Sequence, residues 1–432
     1  MPAEGGSTRE LVVLLRGTVA GILYRSDSRD PLTFEYDDGW RKNPDAYPLS
    51  LSIPLAARSH RGPALDFYLR GLLPDNQARL NAVAHRYGVS PDDSFGLLSN
   101  IGDDCAGAVQ FVMPSRANGA KLSRRNVEWL TKAELGHVLR DLYEENTAGG
   151  HALATGQFSL PGALAKVALT WDPKGKRWGY PGTHTPSTHI VKAPLAGVDF
   201  HCQNEHLCLA LANATGCRAA SSSMLRSGDT VALAVERFDR RRRGGRIVRV
   251  HQEDASQALG VDPRLKYASE GAPGIEEIVA LLRDYSTSAD IYRFLRAVAF
   301  NWVIAGTDAH PRNYSISIGP SGRVSLAPLY DLSSALVLPT RIDVDDLPFA
   351  MAIAGRRRIG SIDQAAWTDL AKDLRLDKEK LLTEVRDVAS AIANRVESIA
   401  TTAFREEKER RFAARFVKRV RARAKHCSAT VM

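Results

Sequence analysis

The chain is poor in cysteine: five occur among 432 residues, at Cys105, Cys202, Cys208, Cys217 and Cys427, with no CxxC spacing. An odd count without paired spacings argues against a disulfide frame or a cysteine zinc site and predicts reduced, buried thiols. Long apolar runs are lacking too. The most apolar stretch, residues 294–306, is broken by Arg296 and Asn301 and is too short to cross a bilayer. The opening MPAEGGSTRE has no basic segment followed by an apolar one, so no signal peptide is read and a cytoplasmic protein is expected. Neither GxGxxG nor GxxxxGKS/T is present, which removes the two commonest phosphate-binding loops. No tandem repeat or long low-complexity tract occurs.

What is present suits a globular protein of two or three domains: 44% hydrophobic and 25% charged residues. The net charge of +9 is compatible with an anionic partner such as nucleotide or nucleic acid, without selecting one.

Residues 1–112 read as a β-rich unit followed by helices. Alternation across residues 49–55, LSLSIPL, predicts a strand. Pro74 and Asp75 in LLPDN mark a helix start or a turn. Residues 113–150 are polar and are expected to form a connector with one helix, over 132–143. Residues 151–240 are strand-rich, with a hairpin, a strand around His189–Lys192 and a helix over 204–215 ending before Gly216. Residues 241–432 are mostly helical. Strands first and helices second predict an α+β fold of two lobes with a ligand cleft between them.

The chemistry begins at IAGTDAHPRNYS. Asp308 and Asn313 have the Asp-x-x-x-x-Asn spacing of a kinase catalytic loop. There the Asp orients the acceptor hydroxyl and takes its proton, and the Asn carboxamide helps to hold magnesium. Asp331, in LAPLYDLSSA, follows eighteen residues later and supplies a second metal ligand. One carboxylate and one amide oxygen, completed by phosphates and water, suit Mg2+. Lys192 in HIVKAP is the candidate cation for the ATP phosphates, and Glu205, thirteen residues on, its ion-pair partner. VERFD, residues 235–239, falls where strands give way to helices. The backbone of Glu236 and Phe238 is expected to meet adenine there, and Asp239 the ribose. The phosphate loop is read in SLPGALAK, residues 159–166. Gly162 permits close backbone approach, and Lys166 adds a cation.

Taken in order, SLPGALAKVAL, THIVKAP, NEHLCLALA, VERFDR, HQEDASQALG, GTDAHPRNYS and APLYDLSSA resemble the HipA family of bacterial toxin kinases. PLSLSIPL, LLPDN and GDDCAGAVQF resemble the segment that precedes the kinase domain in full-length members. The likeness spans roughly residues 10–400. It implies a two-lobed, protein-kinase-like fold carrying an extra N-terminal β-rich subdomain. It also implies an ATP- and magnesium-dependent serine/threonine kinase with Asp308 as catalytic residue and Asn313 and Asp331 as metal ligands. The implied ATP contacts are Pro161, Gly162, Ala163, Leu164, Ala165 and Lys166 in the phosphate loop, then Lys192. Glu236, Arg237, Phe238 and Asp239 follow at the lobe junction, and His310, Pro311, Arg312, Asn313, Tyr330 and Asp331 opposite. Ser159 matches the family's autophosphorylation serine, where a phosphate would repel ATP and switch the enzyme off. The family usually has Gln where this chain has Leu164, which bears on a side-chain contact and leaves the backbone cradle untouched. The implied target is an aminoacyl-tRNA synthetase, such as the glutamate enzyme. The implied partner is a HipB-like DNA-binding antitoxin that recruits the kinase to operator DNA.

Two other readings stand beside this one. A small-molecule phosphotransferase shares the Asp…Asn…Asp order, though the N-terminal unit argues against it. A catalytically silent corepressor would bind antitoxin and DNA, and the intact Asp308, Asn313, Asp331 and Lys192 argue against that. The basic tail, residues 405–425, carries Phe412, Phe416 and Val420 at four-residue spacing. This stripe packs on the helical lobe, or the tail contacts DNA or a partner. The run Arg240–Arg243 reads as a charged turn.

Overall fold

The computed structural model describes residues 9–27, 30–117, 127–147, 161–162, 164–182, 185–228, 230–338 and 342–431. Ser159 and Ala163 lie outside the described residues.

The N-terminal domain holds a five-stranded antiparallel sheet in the order Ser59–Arg61, Thr33–Tyr36, Thr18–Arg25, Arg9–Leu15, Val109–Val112. Arg16 and Gly17 join the first two strands in sequence, and both have positive φ, 53° and 81°. That two-residue turn matches the twist of the strands it connects. Alternation buries Leu11, Val13, Leu23 and Phe34 in one core with Leu65, Tyr68 and Leu69 of the helix Pro63–Gly71. Residues 49–55 correct the expected strand. Leu49, Leu51 and Ile53 are buried, but only Ser50 and Ile53 pair, closing a turn. The Tyr36 hydroxyl accepts from Leu49 N–H at 2.7 Å and donates to Ile53 O at 2.5 Å. The period-2 pattern therefore serves a plug held by side chains, not a sheet.

The next domain's sheet has six strands in the order Ser222–Ser227, Thr230–Glu236, His189–Lys192, Lys166–Asp172, Arg177–Tyr180, Glu128–Trp129. The stretch expected as a connector is built into this lobe. Its two-residue strand forms the sheet edge, and the helix Lys132–Thr147 lays Leu135, Val138, Leu139 and Leu142 against Val167, Leu169, Val191 and Ala232. The run Arg240–Arg243 is also no simple turn. It is a strand paired with Arg246–Arg249, and Arg240 is buried.

The second lobe is organised around the helix Ser288–Ile304, buried over most of its length. Thr287 caps its start by accepting from Asp290 N–H, and Ala305, at φ 53°, ends it. Around it lie the helices Ile275–Tyr285, Gln364–Asp373, Lys378–Ala403 and Glu407–Thr430. The stripe Phe412, Phe416 and Val420 is buried on this lobe, and Phe412 stacks on Phe200 at 4.8 Å. Fully buried Glu409 receives Arg226 and Gln203. No helix among the described residues is long and apolar enough to cross a membrane.

The N-terminal domain meets both lobes through buried charge. Asp104 accepts from Ser187 Oγ at 2.5 Å, Arg240 Nη2 at 2.8 Å and Arg249 Nη2 at 3.2 Å. Beside it Arg237 and Arg240 both pair with Asp239, which also accepts from Gly107 N–H at 2.7 Å. Burial alone would raise the Asp104 carboxyl, but the three guanidiniums hold it well below the usual carboxylate range.

Candidate active site

A cleft of about 250 Å³ lies between the lobes, and most of the expected site residues line it. Its roof comes from sheet register. Lys166 and Lys192 sit opposite each other on adjacent strands, so their side chains share a face. Two facing ammonium groups repel, and carboxylates offset the repulsion. Lys192 Nζ lies 2.7 Å from Glu205 Oε1 and 2.7 Å from Asp331 Oδ1. Burial would lower the Lys192 ammonium, but Asp331 and Glu205 overcome this and hold it above its ordinary value. Burial pulls Lys166 down to about 8, with Asp331 opposing and Lys192 adding to the fall. Asp331 itself is held well below the carboxylate range: Lys192 and Lys166 outweigh the effect of burial.

Gly162 has φ 109°, and a Cβ there would collide with Lys166 Nζ, which donates to Pro161 O at 2.6 Å. The glycine is therefore favoured by its conformation, and a Cβ there would also displace the Lys166 ammonium from Pro161. Leu164 also lines the cleft, and Ala165 is buried beneath it.

The floor is delivered by the buried central helix. Asn301, near its end, donates to the Tyr314 hydroxyl at 3.1 Å and so braces the loop between them. Asn313 Nδ2 donates to Asp308 O at 2.7 Å, which closes the loop and leaves the Asn313 carboxamide oxygen for another partner. Asp308 is largely exposed, and its Oδ1 accepts from the Tyr267 hydroxyl at 2.8 Å. Pro311 opens a short helical turn that seats Arg312 and Asn313, and the strand Ser315–Ile318 follows. Tyr330 donates to Arg312 O at 2.8 Å and stacks on Phe238. Asp331 has φ 58°, a left-handed conformation that costs an aspartate on the order of 1 kcal/mol. Such strain is typical of functional positions.

At the lobe junction, Glu236 N–H donates to Ser221 O and Arg237 N–H to Thr188 O, at 2.8 and 2.9 Å. The side chains of Arg237 and Asp239 are committed to the buried cluster around Asp104, so Asp239 departs from its expected ribose contact. Ile190, Ala220 and Val235 give the cleft an apolar wall beside this strand.

The arrangement suits a polyanion with a divalent cation. Two cations face the cleft from above, and a carboxylate and a carboxamide from below. His201 Nδ1 and His310 Nδ1 are buried and lack a protein hydrogen-bond partner among the described residues, and both rings line the cleft. Burial lowers both imidazoles below their ordinary value, and the carboxylates of Asp308 and Asp331 oppose this at His310. No cluster of three or more His, Cys, Asp or Glu fit for a metal occurs among the described residues.

Among the cleft residues that the sequence did not single out are Asp75, His201 and Lys266, and Tyr267 bonds Asp308 beside them. Only Asp75 had a signal, and LLPDN was read for its turn chemistry.

The order of elements, the lysine–glutamate pair under a sheet and the Asp–Asn loop below it define a protein-kinase-like fold. Comparisons with known proteins agree. Residues 11–112 match the HipA N-terminal domain and residues 158–396 the HipA-like C-terminal domain. A putative kinase, Y4mE, of Sinorhizobium fredii is 32% identical over 401 residues, spanning 90% of this chain and 93% of that one. The serine/threonine-protein kinase toxin HipA of Shewanella oneidensis is 31% identical over 345 residues, 76% of this chain and 75% of that one. A solved structure of Shewanella oneidensis HipA with HipB and its operator DNA superposes with a TM-score of 0.83 at 26% identity, covering 98% of each chain. The chain belongs to the HipA family of kinases.

Proposed function

We propose that this protein transfers the γ-phosphoryl group of ATP, with magnesium, to a serine or threonine of a protein target. The observation that carries this reading is the Lys192 ammonium 2.7 Å from both Glu205 and Asp331, over a cleft whose far side holds Asp308 and Asn313. Adenine would lie along Ile190 and Val235, accepting from Phe238 N–H and donating to the Glu236 carbonyl. Lys166 and Lys192 would neutralise its phosphates. Asn313 and Asp331 would hold Mg2+, which supplies charge neutralisation across the phosphates. Asp308 would orient the acceptor hydroxyl and take its proton. An aminoacyl-tRNA synthetase, such as the glutamate enzyme, is the proposed target, and growth arrest the outcome. Ser159 is the proposed site of autophosphorylation. A HipB-like antitoxin is the proposed partner, through which operator DNA is reached, by analogy with the Shewanella assembly.

The test is incubation of the full chain with γ-labelled ATP, magnesium and a bacterial lysate. Label should enter a discrete protein band and fall by about 10²–10⁴-fold for Asp308→Ala. Label confined to small metabolites, or indifferent to Asp308→Ala, would sink the reading.

A further inference from the structure

Asp75 belongs to the N-terminal domain, yet its carboxylate lies in the cleft between the other two lobes. One oxygen, Oδ2, sits 2.7 Å from Arg312 Nη1 and 2.9 Å from Lys266 Nζ. Burial would raise this carboxyl, but Arg312 and Lys266 overcome it and leave it below its ordinary range. Arg312 directly precedes Asn313 in the loop that begins at Asp308. Its other contacts are weaker: Asp254 Oδ2 at 3.4 Å and Pro263 O at 3.2 Å. Without Asp75, Arg312 would keep only the longer contact to Asp254, and Lys266 would lose the carboxylate it shares with Arg312.

The same short segment reaches the opposite wall. Asp75 N–H points to Gly162 O at 3.4 Å, and Arg79 Nη2 donates to Lys166 O at 2.6 Å. Asn76 caps the helix Gln77–Tyr87 by accepting from Arg79 N–H, which fixes Asp75 and Arg79 relative to each other. One capped helix start thus touches both the phosphate-loop strand and the Asp308–Asn313 loop.

We propose that Asp75 is a positioning residue of the phosphotransfer site, supplied by the N-terminal domain. It holds Arg312, and through Arg312 the loop that presents Asp308 and Asn313. The proposal rests on the phosphotransfer reading above. In kinases switched by phosphorylation, a new arginine–phosphate pair orders a loop. Here a carboxylate on a separate domain makes the corresponding contact permanently, and docking of that domain replaces a covalent switch. The contact is made to the loop that carries Asp308 and Asn313 and not to Ile190, Ala220 or Val235 of the adenine wall, so it should govern turnover more than nucleotide affinity.

The experiment uses the full chain as wild type, Asp75→Asn, Asp75→Glu, Asp93→Asn and Asp308→Ala. Three quantities are read: magnesium-dependent ATP turnover, affinity for a non-hydrolysable ATP analogue, and apparent Tm. Asp93→Asn breaks the Arg25–Asp93 pair, 2.7 Å long and outside the cleft, as a control for lost stability. Asp75→Asn should lose turnover at least tenfold while analogue affinity stays within threefold. Asp75→Glu keeps the charge and should recover most of the loss, which also serves if the Asn variant folds poorly. Asp93→Asn should lower Tm and keep turnover. Wild-type turnover in Asp75→Asn, an equal fall in turnover and affinity, or an equal loss in Asp93→Asn would overturn the proposal while leaving phosphotransfer intact. A wild type no faster than Asp308→Ala would overturn both.

Discussion

Two buried charge clusters, one at the domain junction and one in the cleft, behave as opposites. At the domain junction, Asp104 and Asp239 are shared among Arg237, Arg240 and Arg249, and every carboxylate and guanidinium is at most about a tenth exposed. Each carboxylate has several donors. In the cleft, Lys192 and Glu205 are equally buried, but Asp331 keeps 39% of its side chain exposed. Asp331 also holds a left-handed backbone. Unpartnered nitrogens do not separate the two: among the described residues Arg240 Nε and Arg249 Nε lack a partner at the junction, as His201 Nδ1 and His310 Nδ1 do in the cleft. A closed cluster, its carboxylates buried and each held by several donors, fixes geometry. An open one, with a strained and half-exposed carboxylate, is built to accept a ligand.

The contrast breaks if the two clusters respond alike to the loss of one member. Asp104→Ala should give the largest effect of all. It takes the carboxylate from Arg249 and leaves Arg237 and Arg240 to share Asp239, and breaking such a buried network costs about 3–5 kcal/mol. A denaturant titration should show that loss, with nucleotide binding disappearing only as the domain arrangement does. Lys192→Met should do the reverse. Solvent in the cleft can rehydrate Asp331, so the fall in stability should be smaller than for Asp104→Ala. Phosphotransfer should fall by at least about 10²-fold, the usual scale for losing a preorganised charge at the reacting group. Steady-state turnover beside a melting curve separates the two. Equal stability losses with equal activity losses would erase the distinction.

The open cluster was legible in the sequence and the closed one was not. Lys192, Glu205, Asp308, Asn313 and Asp331 stand on elements whose periodicity and order are visible, and the role proposed for each demands its residue type. The closed cluster depends on domain docking. Arg240 looks like one of four consecutive surface arginines until Asp104, 136 positions earlier, is brought against it. Asp75 was hidden in the same way: turn chemistry explains an aspartate in LLPDN, and nothing local announces Arg312. Residues 49–55 failed for a different reason. Alternation reports which side chains are buried, and a side-chain-tethered turn satisfies it as well as a strand does.

A third buried charge sharpens the comparison through pH. Glu253 is fully buried at the same domain junction and accepts from Leu51 N–H at 2.9 Å, while its other oxygen has no partner among the described residues. No cation stands against it, and burial pushes its carboxyl up to about 8. The folded form therefore keeps a proton that the unfolded chain releases near the ordinary value of 4.5. Stability should fall as pH rises from that value through about 8, because the unfolded state binds fewer protons over that window. Glu253→Gln keeps an acceptor for Leu51 and cannot ionise. Relative to wild type it should gain about 3–4 kcal/mol between pH 5 and pH 8. Parallel denaturation curves at the two pH values would contradict this.

The smallest expected effect lies on the open cluster's rim. The Tyr267 hydroxyl donates to Asp308 Oδ1 at 2.8 Å, the contact that an acceptor serine or threonine would make. Burial and the bond to Asp308 raise this phenol to about 12, so it stays a donor throughout the neutral range. An incoming hydroxyl must displace it. A hydrogen bond to a carboxylate has a net worth of about 1.5–3 kcal/mol, and at this exposed site the lower end applies, roughly tenfold in affinity. Tyr267→Phe keeps the ring against His310, 6.1 Å between centroids, and removes only the competing hydroxyl. The KM for the protein acceptor should therefore drop by about that factor, with ATP affinity and apparent Tm unchanged. A rise in acceptor KM would mean that the phenol holds Asp308 in place for the substrate instead of standing in the substrate's seat, and Tyr267 would then belong with the fixed, closed contacts of the domain junction.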